Sequence, residues 1–125
     1  MLHHVALPVS DISVSARFYI DILGMITFDR PDFDFPGMWL GFRNENRACL
    51  HLIEQSTLIM NADFHGSRKL HFAFGFKEFQ TQVLNMDKSH ITPFKKPAQR
   101  PDGVWQAFYY DPDGYVIEVT SIEAT

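Results

Sequence analysis

A chain of 125 residues with a formal net charge of −4 is long enough for one domain with a modest core. It is a poor candidate for nucleic-acid binding, because its one basic cluster (Lys95, Lys96 and Arg100) is broken by prolines and Gln99. The single cysteine, Cys49, permits no internal disulfide, and no apolar stretch approaches the ~20 residues that span a bilayer. The first strand-like run begins at Leu2 and leaves no room for a signal peptide, so a soluble cytoplasmic protein without a membrane partner is expected.

In chain order, Leu2 to Val9 (LHHVALPV) reads as a strand. Asp11 is placed to cap a helix, and Ile12, Ala16, Tyr19 and Leu23 follow at helical spacing before Gly24 closes it. Met25 to Asp29 is extended, and residues 30 to 37 (RPDFDFPG) form an aromatic loop. Met38 to Arg43 and Arg47 to Glu54 are strand-like, with a turn at Asn44-Glu45-Asn46. Residues 55 to 68 show no period and read as a linker.

The second half begins with the alternating strand Leu70 to Phe76 (LHFAFGF). A helix over Lys77 to Met86 and a turn to His90 follow. A short strand is expected at Ile91 to Phe94, then a polar loop to Gly103. Trp105 to Tyr110 and Tyr115 to Thr120 are strands joined by the turn Asp111-Pro112-Asp113-Gly114, with Pro and Gly where such a turn needs them.

The order is β-α-β-β-β twice. The chain thus reads as a single α+β domain over residues 1–125, with one module at about 1–60 and another at about 68–125. The repeat has a fixed offset: His4 lies over His71, and His51 over Glu118, 67 positions on in both cases. Side chains alternate across a strand, so Phe72, Phe74 and Phe76 share one face and His71 the other. The same alternation sets His4 opposite Val5, Leu7 and Val9, sets His51 opposite Leu50 and Leu52, and sets Glu118 opposite Ile117 and Val119.

Imidazole and carboxylate donors of this kind make an open site for one divalent metal, with nickel, zinc, manganese, cobalt or iron all compatible. A lone histidine on a strand is usually structural. Four candidates obeying one repeat offset on one type of face point instead to ligands: His4, His71, Glu118 and His51. His51 is also open to the role of general base or of a hydrogen-bonding partner to a ligand. His3, His65 and His90 read as structural, and Cys49, without an activating neighbour, as inert.

The runs HVALPVSDISVSARFYIDILGM, LHLIE, LHFAF and FYYDPDGYVIEV together resemble the vicinal-oxygen-chelate superfamily across nearly the whole chain. That group includes glyoxalase I, fosfomycin-resistance proteins, methylmalonyl-CoA epimerase, extradiol dioxygenases and bleomycin-resistance proteins. The resemblance implies paired βαβββ modules curled into an incomplete barrel around a metal, and association into homodimers. It implies His4, His71 and Glu118 as ligands, as in fosfomycin-resistance proteins and extradiol dioxygenases. Glyoxalase I usually carries a proton-transferring glutamate where this chain has His51.

The implied activity is that of a metal-dependent lyase, isomerase or transferase, in which the metal chelates adjacent oxygens of a small substrate and Glu118 and His51 serve the reaction. Two other readings stand beside it: an iron(II) extradiol-type dioxygenase, and a metal-free ligand-binding protein like the bleomycin-resistance relatives. Phe33, Phe35, Trp39 and Trp105 either line a substrate pocket or pack as core and loop plug. Arg100 either meets an anionic substrate or stays solvated.

Overall fold

The computed structural model describes residues 1–58 and 62–124. Two compact units divide the chain, Met1–Ile59 and Met60–Thr125. Each carries one βαβββ module with an open four-stranded sheet, and together they make the α+β fold expected from the repeat.

In the first unit, β1 (Val5–Val9) leads to α1 (Ile12–Ala16), which widens into π-helical turns over Arg17–Ile22. The Asp11 carboxylate accepts from the amides of Ser13 and Val14, so the cap forms as its sequence position predicts. Next come β2 (Ile26–Phe28), β3 (Gly37–Phe42), a short 3-10 turn at Arg43–Glu45, and β4 (Arg47–Glu54). The sheet order is β1-β4-β3-β2, with β1 parallel to β4 and the other pairs antiparallel. A bulge between Leu40 and Gly41 brings the backbone so close that a Cβ on Gly41 would stand 2.2 Å from the Arg47 carbonyl oxygen, so only glycine fits. Leu7, Val9, Leu40, Leu50 and Leu52 bury with Phe18, Tyr19 and Leu23 from the helical segment. Each contributes about 1.5–3 kcal/mol by leaving water.

The second unit repeats the pattern with β5 (Phe72–Phe76), α2 (Phe79–Lys88), β6 (Lys95–Gln99), β7 (Trp105–Tyr110) and β8 (Val116–Ser121), in sheet order β5-β8-β7-β6. Its core takes Phe74, Ala107, Tyr109, Ile117 and Val119 from the sheet, with Phe79 and Met86 from α2. The turn after β7 closes as read: the Gly114 amide donates to the Asp111 carbonyl, and the Asp111 carboxylate accepts from the amides of Asp113 and Tyr115.

Three expectations shift. Strands β1 and β5 start later than the apolar runs suggest, leaving His4 and His71 one residue outside them. The carbonyls just upstream are already engaged by side chains: Arg47 donates to those of Leu2 and His3, and the His71 ring to that of Lys69. The short strand expected at Ile91 to Phe94 lies instead at Lys95–Gln99. There Pro97, which has no amide to donate, sits at a register shift on an edge strand, where it costs no ladder bond. The stretch read as a linker contains a 3-10 turn at Ala62–Phe64, and its residues 59–61 lie outside those described.

Candidate functional site

The repeat offset survives as strand register. In the first sheet Ala6 pairs with His51, and in the second Ala73 pairs with Glu118, each across a parallel pair. His51 and Glu118 therefore occupy the same place in their modules. Their antiparallel partners are Trp39 and Phe108.

In the first unit, the His51 ring is sandwiched. His4 stacks on one side at 4.0 Å between ring centroids and 13° between planes, and Trp39 stacks at 4.2 Å and 8°. The His4 Nδ1 lies 2.9 Å from the Nδ1 of His3, a neighbour that the sequence reading left as structural. The His51 Nε2 is buried and has no hydrogen-bond partner among the described residues. Burial first, and then the positive potential of His4, His3 and Arg30, holds the His51 pKa below the ordinary imidazole value. Both causes favour the neutral form of the ring, the one that can donate a lone pair to a metal or take a proton.

The aromatic loop extends this stack. Phe33 lies 6.3 Å from Trp39, and Phe35 stacks on Phe33 at 5.1 Å. Arg30, which the sequence reading passed over, sets its guanidinium carbon 4.9 Å from both phenylalanine rings.

In the second unit, the His71 Nε2 lies 3.2 Å from a carboxylate oxygen of Glu118, itself 7 % exposed. The other ring nitrogen, Nδ1, donates to the Lys69 carbonyl at 2.7 Å. That bond fixes the tautomer, because a carbonyl oxygen only accepts. In a neutral ring the Nε2 lone pair then faces a carboxylate, an arrangement that is favourable only with a proton or a cation shared between the two atoms. Phe108 packs edge-on against His71 at 5.4 Å, and the Lys95 ammonium sits 5.6 Å from the Phe108 ring centroid.

The sequence-derived residues are thus gathered unevenly. His4, His51, Trp39, Phe33 and Phe35 form one continuous cluster, and His71 and Glu118 form a pair. Trp105 stands on the opposite face of its strand from Phe108 and packs at 6.1 Å against Phe79 of α2, while its amide donates to the Ser121 hydroxyl. Arg100 is held by Asp102 in a two-point contact at an exposed turn. Among the described residues, no group of three or more His, Cys, Asp or Glu side chains is arranged to hold a metal. The ligand candidates occur as one pair in each unit.

The description Glyoxalase/Bleomycin resistance protein/Dioxygenase superfamily matches residues 1–119. The chain belongs to this superfamily. It is similar to the lactoylglutathione lyase of Haemophilus influenzae, 27 % identical over 127 aligned positions that cover 98 % of this chain and 93 % of that protein. Its fold is similar to a glyoxalase/dioxygenase from Nostoc punctiforme, with a TM-score of 0.79, 24 % identity, and coverage of 97 % and 90 % of the two chains. It is also similar to the trypanothione-dependent glyoxalase I of Leishmania major, with a TM-score of 0.69, 25 % identity, and coverage of 97 % and 86 %. This glyoxalase-superfamily chain therefore carries its four candidate ligands at two equivalent register positions and the two residues just ahead of the equivalent first strands.

Proposed function

We propose that this protein is a metal-dependent glyoxalase-like enzyme, a lyase, isomerase or transferase acting on a small substrate with two adjacent oxygens. The observation that carries the reading is the His71–Glu118 pair. The His71 Nε2 and a Glu118 carboxylate oxygen lie 3.2 Å apart, with the His71 Nδ1 engaged from behind by the Lys69 carbonyl. The orphaned Nε2 of His51 supports it from the other repeat. The donor set of three imidazoles and one carboxylate suits a divalent ion of the first transition row.

In this reading His4, His71 and Glu118 hold the metal, and His51 is either the fourth ligand or the base. A bound metal would polarise both substrate oxygens and offset the charge that develops on them. The chain's own residues do the rest. Glu118 brings a negative charge out of water beside His71, which lowers the net charge of the ligand set. Trp39 and His4 lock the plane of the His51 ring, so its free nitrogen points in one direction. The depressed His51 pKa keeps that nitrogen unprotonated near neutrality, ready to accept a proton from a carbon or oxygen next to the reacting bond. The relative in Haemophilus influenzae is a lactoylglutathione lyase, and this chain is expected to share its class of reaction while using an imidazole at position 51.

The test is metal content of protein purified without a histidine tag, beside the His71→Ala variant. About one tightly held metal per chain, lost in the variant, supports the proposal. Nickel, zinc, cobalt or manganese ranks the glyoxalase type first, whereas iron(II) with oxygen uptake on catechols ranks the dioxygenase first. Absence of metal from both proteins after reconstitution would overturn the proposal in favour of a ligand-binding protein.

A further inference from the structure

The aromatic loop of the first unit packs around the Arg30 guanidinium, which among the described residues has no carboxylate in ion-pair contact. The Arg30 Nη2 donates to the Phe35 carbonyl at 2.9 Å, and its guanidinium carbon lies 4.9 Å from the centroids of both Phe33 and Phe35. The backbone makes room for it: a Cβ on Gly37 would stand 2.7 Å from Nη2 and 2.8 Å from the guanidinium carbon. Asp29, Asp32 and Asp34 flank it in sequence, yet among the described residues no carboxylate forms an ion pair with Arg30. Of its five N–H donors, one is hydrogen-bonded among the described residues. The remaining donors of this planar fork are held in place and open to solvent, in the geometry that meets a carboxylate at two points.

What surrounds the fork defines what it meets. Phe33 and Phe35 remain 43 % and 39 % exposed, although both are large apolar rings. Phe33 leads at 6.3 Å to Trp39, which stacks on His51. A cation, an open aromatic surface and the candidate base therefore follow one another along a single run of ring contacts.

We propose that Arg30 is the specificity-determining residue of this site, and that the substrate is a small carboxylate-class anion with a flat apolar portion that lies on Phe33 and Trp39. This rests on the glyoxalase-like reading for the reaction, though not for the binding. Arg30 supplies a planar two-point contact that matches a carboxylate, and the rings supply a surface that a purely hydrophilic anion would not use.

The experiment is calorimetric titration of the wild-type chain and Arg30→Met with phenylglyoxylate and with its methyl ester, each with and without bound metal. Wild-type protein should bind the acid roughly tenfold to a hundredfold more tightly than the ester, the range expected for charge-assisted hydrogen bonds. Arg30→Met should lose that preference with its metal content unchanged. Arg30→Lys, which keeps the charge without the fork, should fall between them, and it serves as the test if the methionine variant does not fold. Equal binding of acid and ester by the wild type, no detectable binding of the acid, or undiminished acid preference in Arg30→Met would each overturn the inference. A preference that persists in protein unable to hold metal leaves Arg30 in its role while the enzymatic reading falls. Normal metal retention without any Arg30-dependent preference has the reverse meaning.

Discussion

The two units are the same frame carrying different chemistry. Ala6 faces His51 and Ala73 faces Glu118 at the same point of the same parallel strand pair. In the first unit the position holds a ring between two other rings; in the second it holds a buried carboxylate against an imidazole. Backbone topology therefore fixes where a functional side chain emerges, and the neighbours fix what it can do. A stacked, neutral imidazole is suited to accepting a proton. A carboxylate beside a tautomer-locked histidine is suited to holding a cation.

The largest effect that would break this contrast is on metal retention. Under the proposed function, Glu118→Gln keeps the shape and removes the charge, and is expected to weaken metal binding roughly a hundredfold or more, since losing the charge of a proposed ligand should exceed the 10–100-fold effect of an outer-shell change. Trp39→Leu should change retention far less, because Trp39 stacks on the His51 ring and offers no donor atom of its own to a metal. Calorimetric titration with zinc or nickel measures both, and equal losses would mean the two units do not divide the work as described.

Next in size is packing. Phe108 and Trp39 are the register equivalents, but Phe108 is 3 % exposed and Trp39 only part-buried. Phe108→Ala is expected to cost about 3–5 kcal/mol in denaturant unfolding, as for other buried aromatics. Trp39→Ala should cost less, and a larger loss at Trp39 would show that the ring stack is the tighter of the two cores.

The pH dependence of the metal-free protein is the third measure. Because its pKa is depressed, His51 binds its proton less readily in the folded state than in the unfolded chain. Its contribution is complete above the ordinary imidazole value of about 6.5 and is lost as pH falls below it. Thermal unfolding between pH 7 and 5 should show a Tm that declines with acid, and His51→Gln should flatten that slope. An unaltered slope would remove His51 as the proton-sensitive ring of the first unit.

The smallest effect separates the two helices. Asp11 caps α1 through the amides of Ser13 and Val14, whereas Glu78, at the equivalent position before α2, makes no such bond. Asp11→Ala should lower the Tm by a few degrees, and Glu78→Ala should leave it unchanged. Hydrogen bonds hold the Asp11 carboxyl below the usual carboxylate range, so the difference should be present above about pH 4 and vanish in stronger acid.

The sequence by itself determined the duplicated βαβββ order, the 67-residue offset and the faces of His51, Glu118 and their strands, because strand alternation and turn chemistry are local and need only neighbouring residues. The offset even extends into strand register. It fails for the residues that flank the candidate ligands: Trp39 and Phe108 are 69 apart, since the stretch from Trp39 to His51 is two residues longer than that from Phe108 to Glu118. For that reason the text gave no sign of Phe108 beside His71 or of Lys95 beside Phe108, and Trp105, open to either a pocket-lining or a packing role, packs against Phe79 of α2. Arg30 was hidden for another reason. Its role depends on a loop folding back so that the Phe35 carbonyl and two rings meet one guanidinium, and nothing periodic marks such a loop. Only tertiary structure decides contacts of that kind, because they join residues whose separation in sequence carries no signal of their approach in space.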